Sequence, residues 1–554
     1  MSAPKYTGPL LLHDVDLDLS RNEWMQASTD LVGSVADPNE LIRRYPDTSD
    51  LRRRLAEMHS VAEDQVLVTA GGDDALFRCV LSRLGPETTA VATTPTFEMI
   101  PVYAGQINSR LVEIEWWEGP FPATAVAYAA RDADVVFVVS PNNPTGATIT
   151  SDELRTVAET AQLVVLDAAY AEFADEDLTA AALDLGNTVV VRTLSKAYGL
   201  AGLRIGYLLG PPDLIAEMAS FGSPYSVSSL SAAVALERLD RPGDVEGFVK
   251  EVRSERDRLA DLLKSGGTSS LPSQGNFVLA NVGNPEWIVG ACSSLGVGVR
   301  RFTGRGDLDR WIRITLPGEP QAFARLERVL ATALTPEAIL FDLDGVLIDV
   351  SGSYRRSIIE TAASFGTTVT ERDIEEAKAA GGANDDWELT HRLITDRGGQ
   401  VEYGRVVERF EEIYQGRPGR PGLKFTERPL VDRSTWHRWA DGLPLGIVTG
   451  RPRKDAEEVL ERFGLLADTA VLVAREDAPL KPDPRPVLLA MKRLGVERSW
   501  FVGDTPDDVE AARSAGVVPI GVLAPSADPQ RAARALSRAA RVLARTVDLE
   551  ELLP

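Results

Sequence analysis

Cysteine is nearly absent: Cys79 and Cys292 are the only two in 554 residues, far apart and without metal-ligand spacing. That excludes a disulfide framework and a cysteine-rich zinc site, and fits two buried thiols in a reducing compartment. Histidine is scarce as well, at four residues. No apolar run approaches the ~20 residues that a membrane-spanning helix needs. The N-terminal MSAPKYTGPLLLHDVDLDLS lacks the basic region and long apolar stretch of a secretory signal, so a cytoplasmic protein is expected. Positive charge is also short, the net being -23 with 59 basic against 82 acidic residues. Such acidity works against nucleic acid and anionic membrane as partners. An anionic small molecule must then be held by local Arg clusters and backbone N–H groups. Lysine is the scarcest charged type, with nine of the 59 basic residues. Two of the nine, Lys196 and Lys481, fall inside the motifs described below.

What is present is ordinary globular sequence, 44% hydrophobic and 25% charged, and too long for one core. Short β-branched runs stand at 65–70, 89–94, 133–140, 163–167 and 188–193, with amphipathic segments between them. That alternation predicts a parallel α/β sheet over about 30–240. A long charged helix over 244–265 and strands at 276–282, 296–302 and 310–316 predict a smaller α+β lobe, completed by residues 1–30. Near Pro336 the pattern restarts with ILFDLDGVLID. Residues 353–440 read as a charged helical insert, and strands return at 444–450, 469–474 and 499–504. Two domains are therefore expected, 1–335 and 336–554.

In the first domain four segments stand in order: SPNNPTG (140–146), DAAY (167–170), TLSK (193–196) and AGLR (201–204). TAGGDDAL (69–76) reads as a strand, a glycine turn and a helix N-terminus, a ready anion site through Gly72 and Asp73. Taken singly, Asp167 could equally be a helix cap, and Asn143 a turn residue before Pro144. Together the segments resemble the fold type I aminotransferases, and more closely the histidinol-phosphate aminotransferase group, over nearly all of residues 10–335.

The resemblance implies a pyridoxal 5'-phosphate enzyme. Lys196 would form the Schiff base with the cofactor and carry the proton between carbon atoms. Asp167 would keep the pyridine nitrogen protonated, with Asn143 and Tyr170 on the phenolic oxygen. Ser195 and Arg204 would complete the phosphate cup. Phe97 falls where the family usually stacks Tyr on the ring, so stacking remains and a hydroxyl is lost. RNEW (21–24) resembles the stretch at the site entrance. Tyr45 in RYPD resembles the residue that reaches the partner subunit's cofactor phosphate, which implies a homodimer. Arg313 would hold the substrate's acidic group. Arg300 either helps it or is a solvated surface charge.

In the second domain FDLDGV (341–346) is followed by VTG with Thr449, KPDP with Lys481, and GDTPDD with Asp504 and Asp508. Asp342 and Asp344, two residues apart at a strand end, repel each other unless a cation lies beside them. The set is similar to the haloacid-dehalogenase-like hydrolases: a Rossmann-like α/β core, here with a helical cap. It implies Mg2+ bound by Asp342, Asp504 and the main-chain carbonyl of Asp344, with Asp508 in support. Asp342 would be the nucleophile and Asp344 the acid and base, and Asp at 344 favours a phosphatase over a dehalogenase. Thr449 and Lys481 would bind the phosphoryl oxygens.

The combined expectation is a bifunctional enzyme. It would transaminate a small, phosphorylated amino alcohol or amino acid with a 2-oxo acid such as 2-oxoglutarate, and hydrolyse a phosphate monoester. Alternatives remain open on the same residues. The first domain could decarboxylate a phosphorylated amino acid, releasing CO2 without glutamate, or serve secondary metabolism beside an unrelated phosphatase. A regulator's sensor domain would need a basic helix-turn-helix, which this acidic chain lacks. A merely structural second domain would not need its full acid set.

Overall fold

The computed structural model describes residues 15–25, 30–383, 385–525 and 527–553. Most of the N-terminal segment read above for a targeting signal lies outside them. The chain divides into two compact units. Of the described residues, the first unit holds 17–25, 30–285 and 299–327, and the second holds 15–16, 286–298, 328–383, 385–525 and 527–553.

After a short strand β1 (Leu17–Leu19), the first unit builds a seven-stranded sheet. Its strands are β2 (Val66–Thr69), β3 (Thr89–Thr94), β4 (Arg110–Glu115), β5 (Val135–Val139), β6 (Val164–Asp167), β7 (Thr188–Thr193) and β8 (Gly206–Leu209). The spatial order is β2-β8-β7-β6-β5-β3-β4, parallel throughout except for β8, which runs antiparallel to both neighbours. Every residue of β5, β6, β7 and β8 is buried, which is why these strands read as unbroken β-branched runs rather than alternating ones. Two apolar clusters, one on each face, hold the sheet between helices. The long helix Pro242–Ser265 leads to a second sheet, ordered β1-β11-β12-β10-β9. Its further strands are β9 (Ser269–Ser270), β10 (Phe277–Asn281), β11 (Val297–Arg301) and β12 (Trp311–Thr315).

The second unit opens with β13 (Ala338–Phe341). Strand β14 (Ile348–Asp349) leaves it toward the helical insert, which contains a small hairpin, β15 (Gly416–Arg417) with β16 (Arg420–Pro421). Strand β17 (Arg428–Pro429) returns and pairs with β14, closing the base of the insert. The core strands then follow: β18 (Leu445–Val448), β19 (Val471–Val473), β20 (Ser499–Gly503), β21 (Val518–Val522) and β22 (Arg541–Leu543). They form an all-parallel sheet ordered β19-β18-β13-β20-β21-β22. The insert ends earlier than residue 440. Helix Arg433–Gly442 already packs Trp436 and Trp439 against Phe341 of β13. Its aromatic pair belongs to the core, which the charged text around it conceals.

Both cysteines are free and buried, and burial pushes the Cys292 thiol up to about 12. Among the described residues no helix is long and apolar enough to cross a membrane.

The second unit draws on an element upstream of β13. All but the first residue of helix Pro285–Ser294 belongs to it. Trp287 meets Trp500 of β20 edge to face at 4.8 Å and donates from Nε1 to the Ala333 carbonyl at 3.3 Å. Arg541 pairs with Glu286 at 2.8 Å. Replacing Trp287 by Ala in the full chain should therefore destabilise the second unit by ~3–5 kcal/mol. Chemical denaturation followed by tryptophan fluorescence measures this, and a loss below ~1 kcal/mol would contradict the packing role.

Candidate active sites

In a parallel sheet, loops at the carboxyl ends of the strands face a common crevice. Strands β2, β3, β5, β6 and β7 deliver Gly72 and Asp73, Phe97, Asn143, Asp167, and Ser195 with Lys196 to that edge. Because β8 is reversed, Arg204 just before its start lies at the same edge.

The anion cup is built by close approach. Gly206 presses β8 on the glycine turn so tightly that a Cβ there would lie 2.4 Å from the Gly71 carbonyl carbon. Helix Gly71–Arg83 begins at this turn, so its first N–H groups lack intrahelical acceptors. Arg204 has left-handed backbone, with φ 52, and its guanidinium donates to Asp73 at 3.0 Å. Half of its side chain remains exposed. Ser195 is buried, its N–H donating to Thr193 Oγ1 and its Oγ accepting from that hydroxyl at 2.9 Å.

Asp167 ends β6 in a buried position and accepts from the Ala169 N–H at 3.1 Å. No ion pair reaches it among the described residues. Burial pushes its carboxyl up to about 7, the Ala169 N–H opposing, Asp73 adding and Lys196 opposing. A buried acid held this high is matched to a cation that the chain itself does not supply. Lys196 is half-buried, donating to the Arg21 carbonyl at 3.3 Å with Nζ 5.8 Å from the centre of the Tyr170 ring.

Tyr170 accepts at its hydroxyl from Asn22 Nδ2 at 2.9 Å. Arg313, also buried, donates to Asn143 Oδ1 at 2.6 Å and to the Ser20 carbonyl at 2.9 Å. Asn22 is the hub that sequence reading missed. It is buried with φ 57, its N–H donates to Thr315 Oγ1, its Oδ1 accepts from that hydroxyl, and its carbonyl accepts from Asn276. The RNEW stretch drew attention, but only the fold shows Asn22 tying Tyr170 to β12. Arg300 is not a solvated surface charge: it is 5% exposed and pairs with Glu98, next to the half-buried Phe97, at 3.3 Å. Tyr45 is the opposite case, 82% exposed and stacked on the exposed Tyr225 with ring centres 4.8 Å apart.

The second unit repeats the strategy. Asp342 and Asp344 follow β13, Thr449 follows β18 and Asp504 follows β20. Gly345, with φ 79, lets this loop meet Asp504, since a Cβ there would lie 2.2 Å from Asp504 Oδ2. Carboxylate oxygens of Asp342, Asp504 and Asp508 lie within 4.8 Å of one another. Lys481 Nζ sits among them, 2.6 Å from Asp342 Oδ1 and 2.5 Å from Asp508 Oδ1. The other oxygen of Asp508 accepts from the N–H and hydroxyl of Thr505.

Burial pushes Asp342 up to about 7 against the pull of Lys481, with Asp508 and Asp344 adding to the rise. Burial, then Asp508 and Asp342, raises Asp504 as well. Burial alone would lower the Lys481 ammonium; Asp342 and Asp508 outweigh it and raise it. Three acids against one ammonium leave negative charge that a divalent cation with oxygen ligands fits. Thr449 is buried, its Oγ1 accepting from the Arg451 N–H at 3.1 Å.

The Asp344 side chain lies outside the acid cluster, bonded instead to Arg451, a residue sequence reading did not single out. A cavity of about 40 Å³ opens beside these groups, where Lys378, Asp386 and Trp387 of the insert face Asp342 and Asp344.

The Asp167 shift carries a stability consequence. Its carboxyl ionises near 3.8 when unfolded and near 7 when folded, so the folded chain binds the extra proton between those values. Stability contributed by this group is present below about pH 4 and falls as pH rises to about 7. With no cofactor bound, Asp167→Asn should be more stable than the unaltered protein at pH 8, by up to roughly 4 kcal/mol, with the advantage vanishing near pH 4. Unfolding midpoints across that range test it, and a pH-independent difference would contradict it.

Comparison with known proteins finds two families in succession along the chain. Residues 14–328 match the family described as aminotransferase class I and II, and residues 336–516 match haloacid dehalogenase-like hydrolase. A histidinol-phosphate aminotransferase of Xanthomonas euvesicatoria pv. vesicatoria is 35% identical over 339 residues, covering 58% of this chain and 92% of that protein. An imidazoleglycerol-phosphate dehydratase of Phytophthora nicotianae is 44% identical over 197 residues, 34% of this chain. The chain spans only 44% of that relative's length. Among solved structures, the histidinol-phosphate aminotransferase of Sinorhizobium meliloti in complex with pyridoxal-5'-phosphate aligns with TM-score 0.52 at 23% identity. It covers 59% of this chain and 96% of that one, a likeness of fold. The chain belongs to the class I and II aminotransferases, of the histidinol-phosphate type, and carries a haloacid dehalogenase-like hydrolase domain after it.

Proposed function

We propose that the chain is a bifunctional enzyme acting on histidinol phosphate: the first domain exchanges its amino group with 2-oxoglutarate, and the second hydrolyses its phosphate ester. The observation that carries the reading is the pair of buried strand-end carboxylates, Asp167 and Asp342, each raised to about 7 and each set among groups that suit a different phosphate compound. The substrate class draws support from the names of two relatives, a histidinol-phosphate aminotransferase and an imidazoleglycerol-phosphate dehydratase. Both names denote phosphate esters that bear an imidazole.

In the first domain pyridoxal phosphate, when bound, supplies the electron sink for the exchange. Asp167 holds the proton on the ring nitrogen, and that contact replaces the desolvation cost of its own buried charge. Asn143 and Tyr170 orient the phenolic oxygen. The Gly72 and Asp73 N–H groups, Ser195 and Arg204 hold the phosphate, and Phe97 packs on the ring. Lys196 carries the proton. Arg313 receives the anionic group of the substrate, with Arg300, paired to Glu98, opposite it in the β11–β12 register. Exposed Tyr45 reaches across a homodimer to the second subunit's site.

In the second domain Asp342, Asp504 and the Asp344 carbonyl would hold Mg2+, with Asp508 in support, and the ion would supply positive charge to the phosphoryl oxygens. Asp342 attacks phosphorus and becomes an aspartyl-phosphate. Asp344 gives a proton to the departing alcohol and takes one from the water that follows. Thr449 and Lys481 hold phosphoryl oxygens, and Lys481 keeps Asp342 aligned.

Purified protein given histidinol phosphate and 2-oxoglutarate should release both glutamate and phosphate. Lys196→Ala should abolish glutamate formation and leave phosphate release, whereas Asp342→Asn should do the reverse. Chelation of divalent cations should stop phosphate release alone. Absence of both products from the unaltered protein would refute the histidinol phosphate reading.

A further inference from the structure

We propose that Arg451 is a positioning residue for Asp344, holding the general acid by one oxygen and linking it to both segments that join the helical insert to the core. This rests on the phosphatase reading of the second domain.

Arg451 follows Thr449 and Gly450 at the end of β18, and its side chain is 1% exposed. Its backbone is pinned on both sides: its N–H donates to Thr449 Oγ1, and its carbonyl accepts from the Arg475 N–H at 3.0 Å. Nε and Nη2 lie 2.8 and 2.5 Å from the same atom, Asp344 Oδ1. The fork therefore grips one carboxylate oxygen and leaves Oδ2 unengaged by the guanidinium. Nη1 donates to the Tyr414 hydroxyl at 3.1 Å and Nη2 to Glu427 Oε1 at 3.1 Å. With its donors directed at Asp344, Tyr414 and Glu427, the guanidinium is occupied in orienting protein groups rather than in binding a phosphoryl group.

Those partners come from the insert and its two linkers. Tyr354, on the outgoing segment Ser351–Arg355, has its ring centre 4.7 Å from the guanidinium carbon. Glu427, on the returning segment beside β17, accepts at Oε1 from the Ser353 and Tyr414 hydroxyls and at Oε2 from Arg462 at 2.6 Å. Tyr414 lies in the last turn of the helix Tyr403–Gln415 of the insert. Two acids, Asp344 and Glu427, are balanced by two guanidinia, Arg451 and Arg462. Moving either linker moves the anchor of Asp344.

The chemical role follows. As the bond from Asp342 to phosphorus forms, the bond from phosphorus to the ester oxygen breaks, and the proton on Asp344 passes to that oxygen. Water then attacks phosphorus, the Asp342 bond breaks, and the water's proton returns to Asp344. Proton delivery depends on where Oδ2 points, which Arg451 sets through Oδ1.

The test uses leaving groups in the Mg2+-loaded full chain. The nitrophenolate of p-nitrophenyl phosphate departs without a proton, whereas the alkanol of histidinol phosphate requires one. Arg451→Lys keeps a charge but loses the planar fork. It should lower kcat/KM for histidinol phosphate ~10- to 100-fold and for p-nitrophenyl phosphate less than ~3-fold. Glu427→Gln and Tyr414→Phe should shift the same ratio less, and they carry the test should R451K not fold. Equal losses on both esters would overturn the proposal in favour of phosphoryl binding or simple structure, as would an unchanged ratio. Hydrolysis of p-nitrophenyl phosphate alone by the unaltered chain would overturn histidinol phosphate as substrate, and with it an alkanol for Asp344 to protonate. Hydrolysis of neither ester would overturn the phosphatase reading itself.

Discussion

A carboxylate at the carboxyl end of a buried parallel strand is costly unless a cation meets it, and both halves of this chain are organised around that constraint. Asp167 ends β6 and Asp342 follows β13, each the central acid of its sheet's crevice. The two are resolved differently. Asp342 has an internal cation, Lys481, shared with Asp508. Asp167 has none among the described residues, and its carboxyl rises to about 7 with only the Ala169 N–H as a close donor. The unrelieved acid suits a protonated ring nitrogen brought by a cofactor. The partly relieved cluster suits a divalent metal.

The strands were legible because they are buried on both faces, and such strands must be continuous runs of apolar residues. The expected run at 163–167 is β6 with Asp167 as its last residue, and 188–193 coincides with β7. The motif residues were legible for a related reason. Most stand at or just past the carboxyl end of a strand, within short runs of consecutive letters. What escaped reading is pairing over distance. Arg451 and Asp344 are 107 residues apart, and nothing in VTGR announces the contact. Arg300 read equally well as a surface charge until its burial with Glu98 was seen. Trp287 gives no local sign that its partner is Trp500. The end of the insert was misplaced because Trp436 and Trp439 sit in a segment whose charges resemble the preceding solvated helices.

Scarce lysine and plentiful arginine divide the work along physical lines. Where a fixed planar fork is needed, the chain uses arginine: Arg451 on Asp344 and Glu427, Arg192 on Glu172 and Asp177, and Arg313 on Asn143. A guanidinium stays charged in such places and presents its donors in one plane. Lysine appears where a compact, mobile amine is required. Lys481 reaches Asp342, Asp508 and the Val448 carbonyl from one nitrogen, a convergence that a planar fork does not match. Lys196 brings to its crevice an amine, a group that, unlike a guanidinium, suits a nucleophile or base. Lys378, in the insert, pairs with Asp386 at 3.3 Å and faces the same cavity as Asp342.

That division also bears on how an acidic chain could hold an anion. Net charge of -23 repels anions at long range, but screening confines this to about a Debye length, ~8 Å at physiological salt. Within the crevices the local balance governs. In the first, the helix N-terminal N–H groups and Arg204 are donors with which an anion could pair. In the second, the acids outnumber the cations, so an anion there would need a cation beside those acids. By charge alone the first site would accept an anion through its own residues, while the second would do so only beside an added cation. This asymmetry follows from the charges at the two strand ends, independently of which ester is turned over.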